Sequence, residues 1–164
     1  MAVLLALLLC LPIFGYGFLA DDWFQRAIIL GWNGEIDLPL FVGEPARHPL
    51  WYQFDFFSSE PGSGRDLVEL GLLPWWAAPN IQASFLRPLA AGSHLLDYAL
   101  WPDSPAMMHI HGLLWLALCV LGVAALLRRL GRDPRVAGLG VLLFAVQDHH
   151  AGPVLWIANR NALI

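Results

Sequence analysis

Residues 106–127 form an unbroken stretch of 22 residues without Asp, Glu, Lys or Arg. It ends at Arg128-Arg129-Leu130-Gly131-Arg132-Asp133-Pro134-Arg135, where four of eight residues are arginine. As a helix, 22 residues rise about 33 Å, enough to cross the ~30 Å hydrocarbon layer of a bilayer. Ser104-Pro105 supplies the helix start, because proline suits the first helical position. The sequence therefore predicts a transmembrane helix over 104–127, and the short arginine loop at 128–135 is assigned to the cytoplasm by the positive-inside rule. The helix then runs from outside to inside, which leaves residues 21–103 on the outer face.

Two further apolar stretches follow the same logic. Residues 2–20 also lack charge and predict a first transmembrane helix. A cleaved signal peptide is the alternative, but no Lys or Arg precedes the run, and Phe18 stands where a small residue should precede the cut. Residues 136–147 predict a third helix leaving the basic loop, and 152–164 the start of a fourth, which ends without a polar cap as though the chain were a fragment of a longer multi-span protein. The expected fold class is all-α: polytopic transmembrane helices, with an outer segment of short amphipathic helices between the first two.

Composition agrees with a membrane chain. Apolar residues make up 58% and charged residues only 13%, against roughly 25% charged in soluble domains. Segment 21–103 holds eleven carboxylates and four arginines, and six of the eight tryptophans, a density suited to the lipid–water boundary. Within it, Ser63-Gly64-Arg65-Asp66 has capping-box spacing ahead of a short helix ending at Gly71, and Pro88 opens another reaching Leu100 before Pro102. Residues 33–62 read as an ordered loop. A net charge of −4, with no lysine and scattered arginines, excludes a phosphate-binding stripe and hence nucleic acid. Cys10 and Cys119 each lie in an apolar run and read as small core residues.

The polar residues near the outer face are the candidates for chemistry. Asp21 and Asp22 follow the first apolar run at what is expected to be a solvent-accessible edge. Paired carboxylates there can serve as a general base toward a hydroxyl, although a helix C-terminus is an unfavourable place for them. Arg87 stands at the mouth of the Pro88 helix, where free N–H groups favour an anion and a guanidinium can grip phosphate. His94 and Asp97 share its face. Adjacent His149 and His150, with Asp148, make a weak metal-ligand set. His109 and His111 point to different faces and read as ordinary residues near the helix start. Arg160, in an otherwise apolar stretch, needs a partner or polar cavity. Either Arg87 and Arg160 share one anionic pocket, or each has its own carboxylate, with Asp97 and Asp148 nearest in sequence. No nucleotide loop, nucleophile elbow or metalloprotease motif is present.

Taken in order, several motifs resemble the N-terminal part of the GT-C membrane glycosyltransferases, in the protein O-mannosyltransferase-like branch. They are Asp21-Asp22, Arg87-Pro88-Leu89 with Asp97-Tyr98-Ala99-Leu100, Phe144-Ala145-Val146, and Pro153-Val154-Leu155-Trp156 leading to Asn159-Arg160-Asn161-Ala162-Leu163. The resemblance implies a multi-pass enzyme of a cell membrane, such as a bacterial inner membrane. Such an enzyme transfers a sugar from a polyprenyl-phosphate donor to an acceptor hydroxyl on the outer face. It implies a catalytic base in Asp21 or Asp22, and donor or substrate contacts among Arg87, His94, Asp97, His149, His150 and Arg160. The lipid bilayer and the lipid-linked sugar are its partners, and a divalent metal ion is a candidate cofactor. The chain departs from the pattern at Gln147-Asp148-His149-His150, where the relatives have His-Pro. The competing class is a small non-enzymatic polytopic protein of transport or polysaccharide export, whose polar residues fix helix packing.

Overall fold

A computed structural model describes residues 1–19, 21–30, 50, 53–57, 63–71, 73–78, 80, 81, 83–131 and 133–164. Most of the loop expected at 33–62, and Arg132 of the basic loop, lie outside the described residues. The described chain is overwhelmingly helical: α1 (Ala2–Leu9), α2 (Asp21–Leu30), α3 (Ser63–Glu69), α4 (Pro88–Leu100), α5 (Pro105–Leu130), α6 (Pro134–Ala145) and α7 (Ala151–Leu155), with 3-10 turns at Leu11–Gly15, Asp148–His150 and Ile157–Ala162. One element was not expected: an antiparallel pair, β1 (Asp55–Phe57) and β2 (Ala83–Ser84), with Asp55 opposite Ser84.

Helix α5 is the long helix expected from the apolar run, 26 residues and apolar enough to cross a membrane by length and composition. Its buried residues are Met108, His109, Gly112, Leu116 and Val120. Met108, Gly112, Leu116 and Val120 recur every four residues with His109 beside the first, which puts them on one stripe. Around that stripe pack α1 and α6, with Ala6, Cys10, Ile13, Leu116, Val120, Ala145, Val154 and Leu163 as the core. Asp133 caps α6 by accepting the Arg135 N–H at 2.8 Å. At Gly140 an added Cβ would come within 2.9 Å of Leu127 Cδ1, the end of a side chain that would have to shift. The opposite faces of all three helices, including Leu4, Leu8, Ile110, Leu114, Leu118, Leu139 and Leu143, are apolar and exposed.

Two expected spans are shorter than the sequence suggests. The run 2–20 is α-helical only to Leu9, because Pro12 cannot continue the hydrogen-bond ladder; the chain turns through Leu11–Gly15 and is extended from Tyr16. The stretch 152–164 is not one helix either. It breaks at Trp156, whose backbone is extended, and continues as the turn Ile157–Ala162. Of the short outer helices, α4 matches its expected limits, Pro88 to Leu100, whereas α3 begins at Ser63, so the residues expected to cap it are its own first turn. Gly71, at φ 73°, closes the turn after α3 in the left-handed region that glycine tolerates.

Candidate functional site

The break at Trp156 folds Ile157–Ala162 across the start of α5 and against α2 and α4. This delivers Arg160, only 1% exposed, to the buried face of α4. One terminal nitrogen donates to Asp97 Oδ2 at 2.5 Å and to Ser93 Oγ at 3.0 Å, and the other to the Met108 carbonyl at 2.8 Å. Asp97, fully buried, also accepts on Oδ1 from His111 Nδ1 at 2.5 Å. His111 Nε2 accepts the Trp115 indole N–H at 3.1 Å, which leaves the ring proton on Nδ1 and makes His111 the second donor to Asp97. A buried arginine is costly without a partner; Asp97 supplies the charge, while Nε of Arg160 has no hydrogen-bond partner among the described residues.

Asp22 belongs to the same interior. It is fully buried, accepts the Leu19 N–H on Oδ2 at 2.8 Å and the Ala158 N–H on Oδ1 at 2.7 Å, and so ties α2 to the turn that carries Arg160. The Tyr98 hydroxyl donates to its backbone carbonyl at 3.3 Å. Burial raises the Asp22 carboxyl above its ordinary value, against the lowering effect of these N–H groups and of nearby His109. The expectation of two carboxylates on an open edge at a helix C-terminus is thus corrected. Because α1 ends early, Asp21 and Asp22 begin α2, where the helix dipole favours acids; Asp21 is exposed, and Asp22 is enclosed.

His94 is fully buried one turn before Asp97, beside the Phe54 ring, and among the described residues neither ring nitrogen has a hydrogen-bond partner. Burial first, and then the nearby charges of Arg160 and His111, hold it well below the ordinary histidine range. His109, also fully buried, contacts the Val154 carbonyl through Nδ1 at 3.2 Å.

Arg87 caps the start of α4 from a different setting. Its guanidinium lies over the rings of Phe54 and Phe85, 5.1 and 4.7 Å from their centroids. It lines an open cleft of about 220 Å³ with Pro88, Leu89, Ala90, Asn161 and Ile164. Arg160 points away from that cleft, so the two arginines do not share a pocket. The partner of Arg160 is Asp97, not Asp148. His149 and His150 are not brought to the cluster: His149 pairs with Asp148 in the open at 3.1 Å, and His150 donates to the Phe144 carbonyl at 2.6 Å with its ring against Phe144. The neighbouring His149 also draws the Asp148 carboxyl below its ordinary value. Among the described residues, no group of three or more His, Cys, Asp or Glu side chains could hold a metal ion.

Sequence reasoning passed over His111, Ser93 and His109. The available signal was two histidines inside an otherwise apolar helix, which have the same need for polar partners that singled out Arg160. Compared with known proteins, the chain matches no family model, no curated protein and no solved structure.

Proposed function

We propose that this chain is the N-terminal part of a GT-C-type membrane glycosyltransferase, acting at the outer face on a polyprenyl-phosphate sugar. In this reading α1 and α6 lie in the bilayer beside α5. The observation that carries it is the gathering of Asp22, Asp97 and Arg160, from three distant parts of the chain, at the end of α5 remote from its arginines. From His111 to Arg128 the helix rises about 25 Å, close to one hydrocarbon thickness. Charged groups therefore mark both ends of the apolar assembly.

The exposed carboxylate Asp21 is the group open to an acceptor hydroxyl, and Asp22 acts as a positioning residue by holding α2 against Ile157–Ala162. In the transfer, the acceptor oxygen bonds to the anomeric carbon and the carbon–oxygen bond to phosphate breaks. The hydroxyl proton passes to Asp21, and polyprenyl phosphate departs. Arg87 and the free N–H groups opening α4 suit the leaving phosphate.

The test is mass spectrometry of lipid-linked sugars and surface glycans in a strain lacking the full-length gene, complemented with wild type, Asp21→Asn or Arg87→Lys. Loss of a general base typically costs about 10²- to 10⁴-fold in rate, so the Asp21→Asn strain should accumulate the donor as the deletion does. Unchanged glycans in the deletion strain would end the transferase reading. The internal pairing of Arg160 and His111 with Asp97 favours a second reading, a non-enzymatic polytopic protein in which the network only locks helices together. Unchanged glycans in the deletion strain would support it, whereas normal transfer by an abundant Asp21→Asn protein would overturn only the role of Asp21 as base.

A further inference from the structure

Helix α4 is built the wrong way round for a helix on a water-exposed surface. Its polar side chains Ser93, His94, Asp97 and Tyr98 are all buried, whereas its exposed residues are Pro88, Leu89, Leu96, Ala99 and Leu100. Leu89, Leu96 and Leu100 are 59%, 50% and 57% exposed, and no charge lies on that side. A surface helix in water shows the reverse pattern, and a contiguous exposed apolar face marks a surface that something apolar covers.

We infer that α4 lies in the plane of the membrane, within the outer leaflet, with its Leu89–Leu96–Leu100 side against lipid acyl chains; the inference rests on the membrane placement of α5 in the reading above. Three observations select lipid as the occupant. First, α4 is held beside the start of α5, where Met108 accepts from Arg160, which also binds Asp97 of α4, and the exposed residues at that level of α5, Met107, Ile110 and Leu114, are apolar as well. Second, thirteen residues rise about 20 Å, too short to span. Third, both ends of α4 carry charge suited to the headgroup layer. Arg87 stands at the start, and after the end Arg26 donates to the Pro102 carbonyl and pairs with exposed Asp103 at 2.6 Å. A short helix with charge at both ends and hydrocarbon between them lies flat rather than upright. Its polar side faces Arg160 and His111 instead of water, so the site cluster is sealed from the lipid by α4 itself.

The experiment is electron paramagnetic resonance on the full-length chain in phosphatidylethanolamine–phosphatidylglycerol vesicles. Cys10 and Cys119 are replaced, and single nitroxides are placed at Leu89, Leu96, Leu100 and, as reference, Asp103. Ala99, exposed on the same side, replaces any position at which labelling prevents insertion. Oxygen collisions should exceed those of a water-soluble nickel chelate at the three leucines, with the order inverted at Asp103. Nickel access at the leucines equal to that at Asp103 would put the face in water and overturn the inference. An immobilised label that neither reagent reaches would mean protein covers the face, from the remainder of the chain or a second copy, and would overturn it too. Either failure leaves the transferase reading standing, since that is decided by the glycan profile of the deletion strain.

Discussion

The apolar assembly of α1, α5 and α6 and the layer formed by α2, α4 and Ile157–Ala162 solve opposite packing problems. In the first, small and branched apolar residues such as Ala6, Leu116, Val120 and Ala145 fill the interior and equally apolar residues cover the outside. In the second, the interior holds Asp22, His94, Asp97 and Arg160, and the outside of α4 is leucine. Wherever the surroundings are apolar, hydrophobicity cannot tell inside from outside. The assembly is then ordered by shape, and the adjoining layer by polar groups that have no other place to be satisfied.

The largest expected effect comes from breaking the polar layer. Asp97→Asn leaves Arg160 buried beside a neutral partner, and removing one member of a buried ion pair costs about 3–5 kcal/mol. The double variant Asp97→Leu/Arg160→Met should recover much of that loss in an unfolding titration of the detergent-solubilised protein. A double variant less stable than either single one would show that the network does more than neutralise Arg160.

The apolar assembly breaks differently. Leu116, fully buried, should lose about 2–5 kcal/mol on truncation to alanine because a cavity remains. Leu118, exposed two residues on, should change stability by less than about 0.5 kcal/mol, because in the proposed membrane placement lipid would fill the vacated space. Equal losses at the two positions would show that protein covers the outer face of α5.

The adjacent carboxylates give the next effect in size. Asp22→Asn keeps one acceptor oxygen but turns an NH₂ toward a backbone N–H of Leu19 or Ala158, leaving a buried donor unpaired at a cost of about 1–3 kcal/mol. Asp21→Asn forfeits only its contribution at the start of α2, about 0.3–1 kcal/mol. Thermal unfolding of the two variants side by side separates the anchor from the open carboxylate.

How much of this was legible in the sequence depended on how local the signal was. The limits of α4 follow from Pro88 and the Trp101-Pro102 break, and the course of α5 from its uninterrupted apolar run ending in arginines. The early end of α1 was legible in Pro12, but the uniform hydrophobicity of 2–20 masked it, and with it the fact that Asp21 and Asp22 start a helix rather than finish one. The need of Arg160 for a partner could be read; the partner could not. Asp148 is twelve residues away and Asp97 sixty-three, and the choice is made by the turn at Trp156, which no local pattern announces. The pairing of β1 with β2, across a separation of more than twenty residues, was invisible for the same reason.

The smallest effect at neutral pH is expected at His94, and its pH dependence makes it useful. The folded protein holds His94 neutral well below the ordinary histidine value, whereas the unfolded chain titrates it near 6.5. Below about pH 6.5 the unfolded state therefore binds a proton that the folded state refuses. Stability must fall as the pH drops through that window, by at most about 1.4 kcal/mol per pH unit. Asp22 works in the opposite direction: its raised carboxyl favours the folded state as acid protonates it, so wild type alone reports a mixture of the two. His94→Phe isolates the histidine. Both ring nitrogens of His94 are unpaired among the described residues, so the aromatic replacement gives up no hydrogen bond there and fills a similar volume beside Phe54. Stability at pH 7.5 should stay within about 0.5 kcal/mol of wild type, and the gap in favour of the variant should widen as the pH falls from 6.5 to 5. A constant gap across that range would mean that His94 takes up a proton in the folded protein, and that the polar layer admits water where the apolar assembly does not.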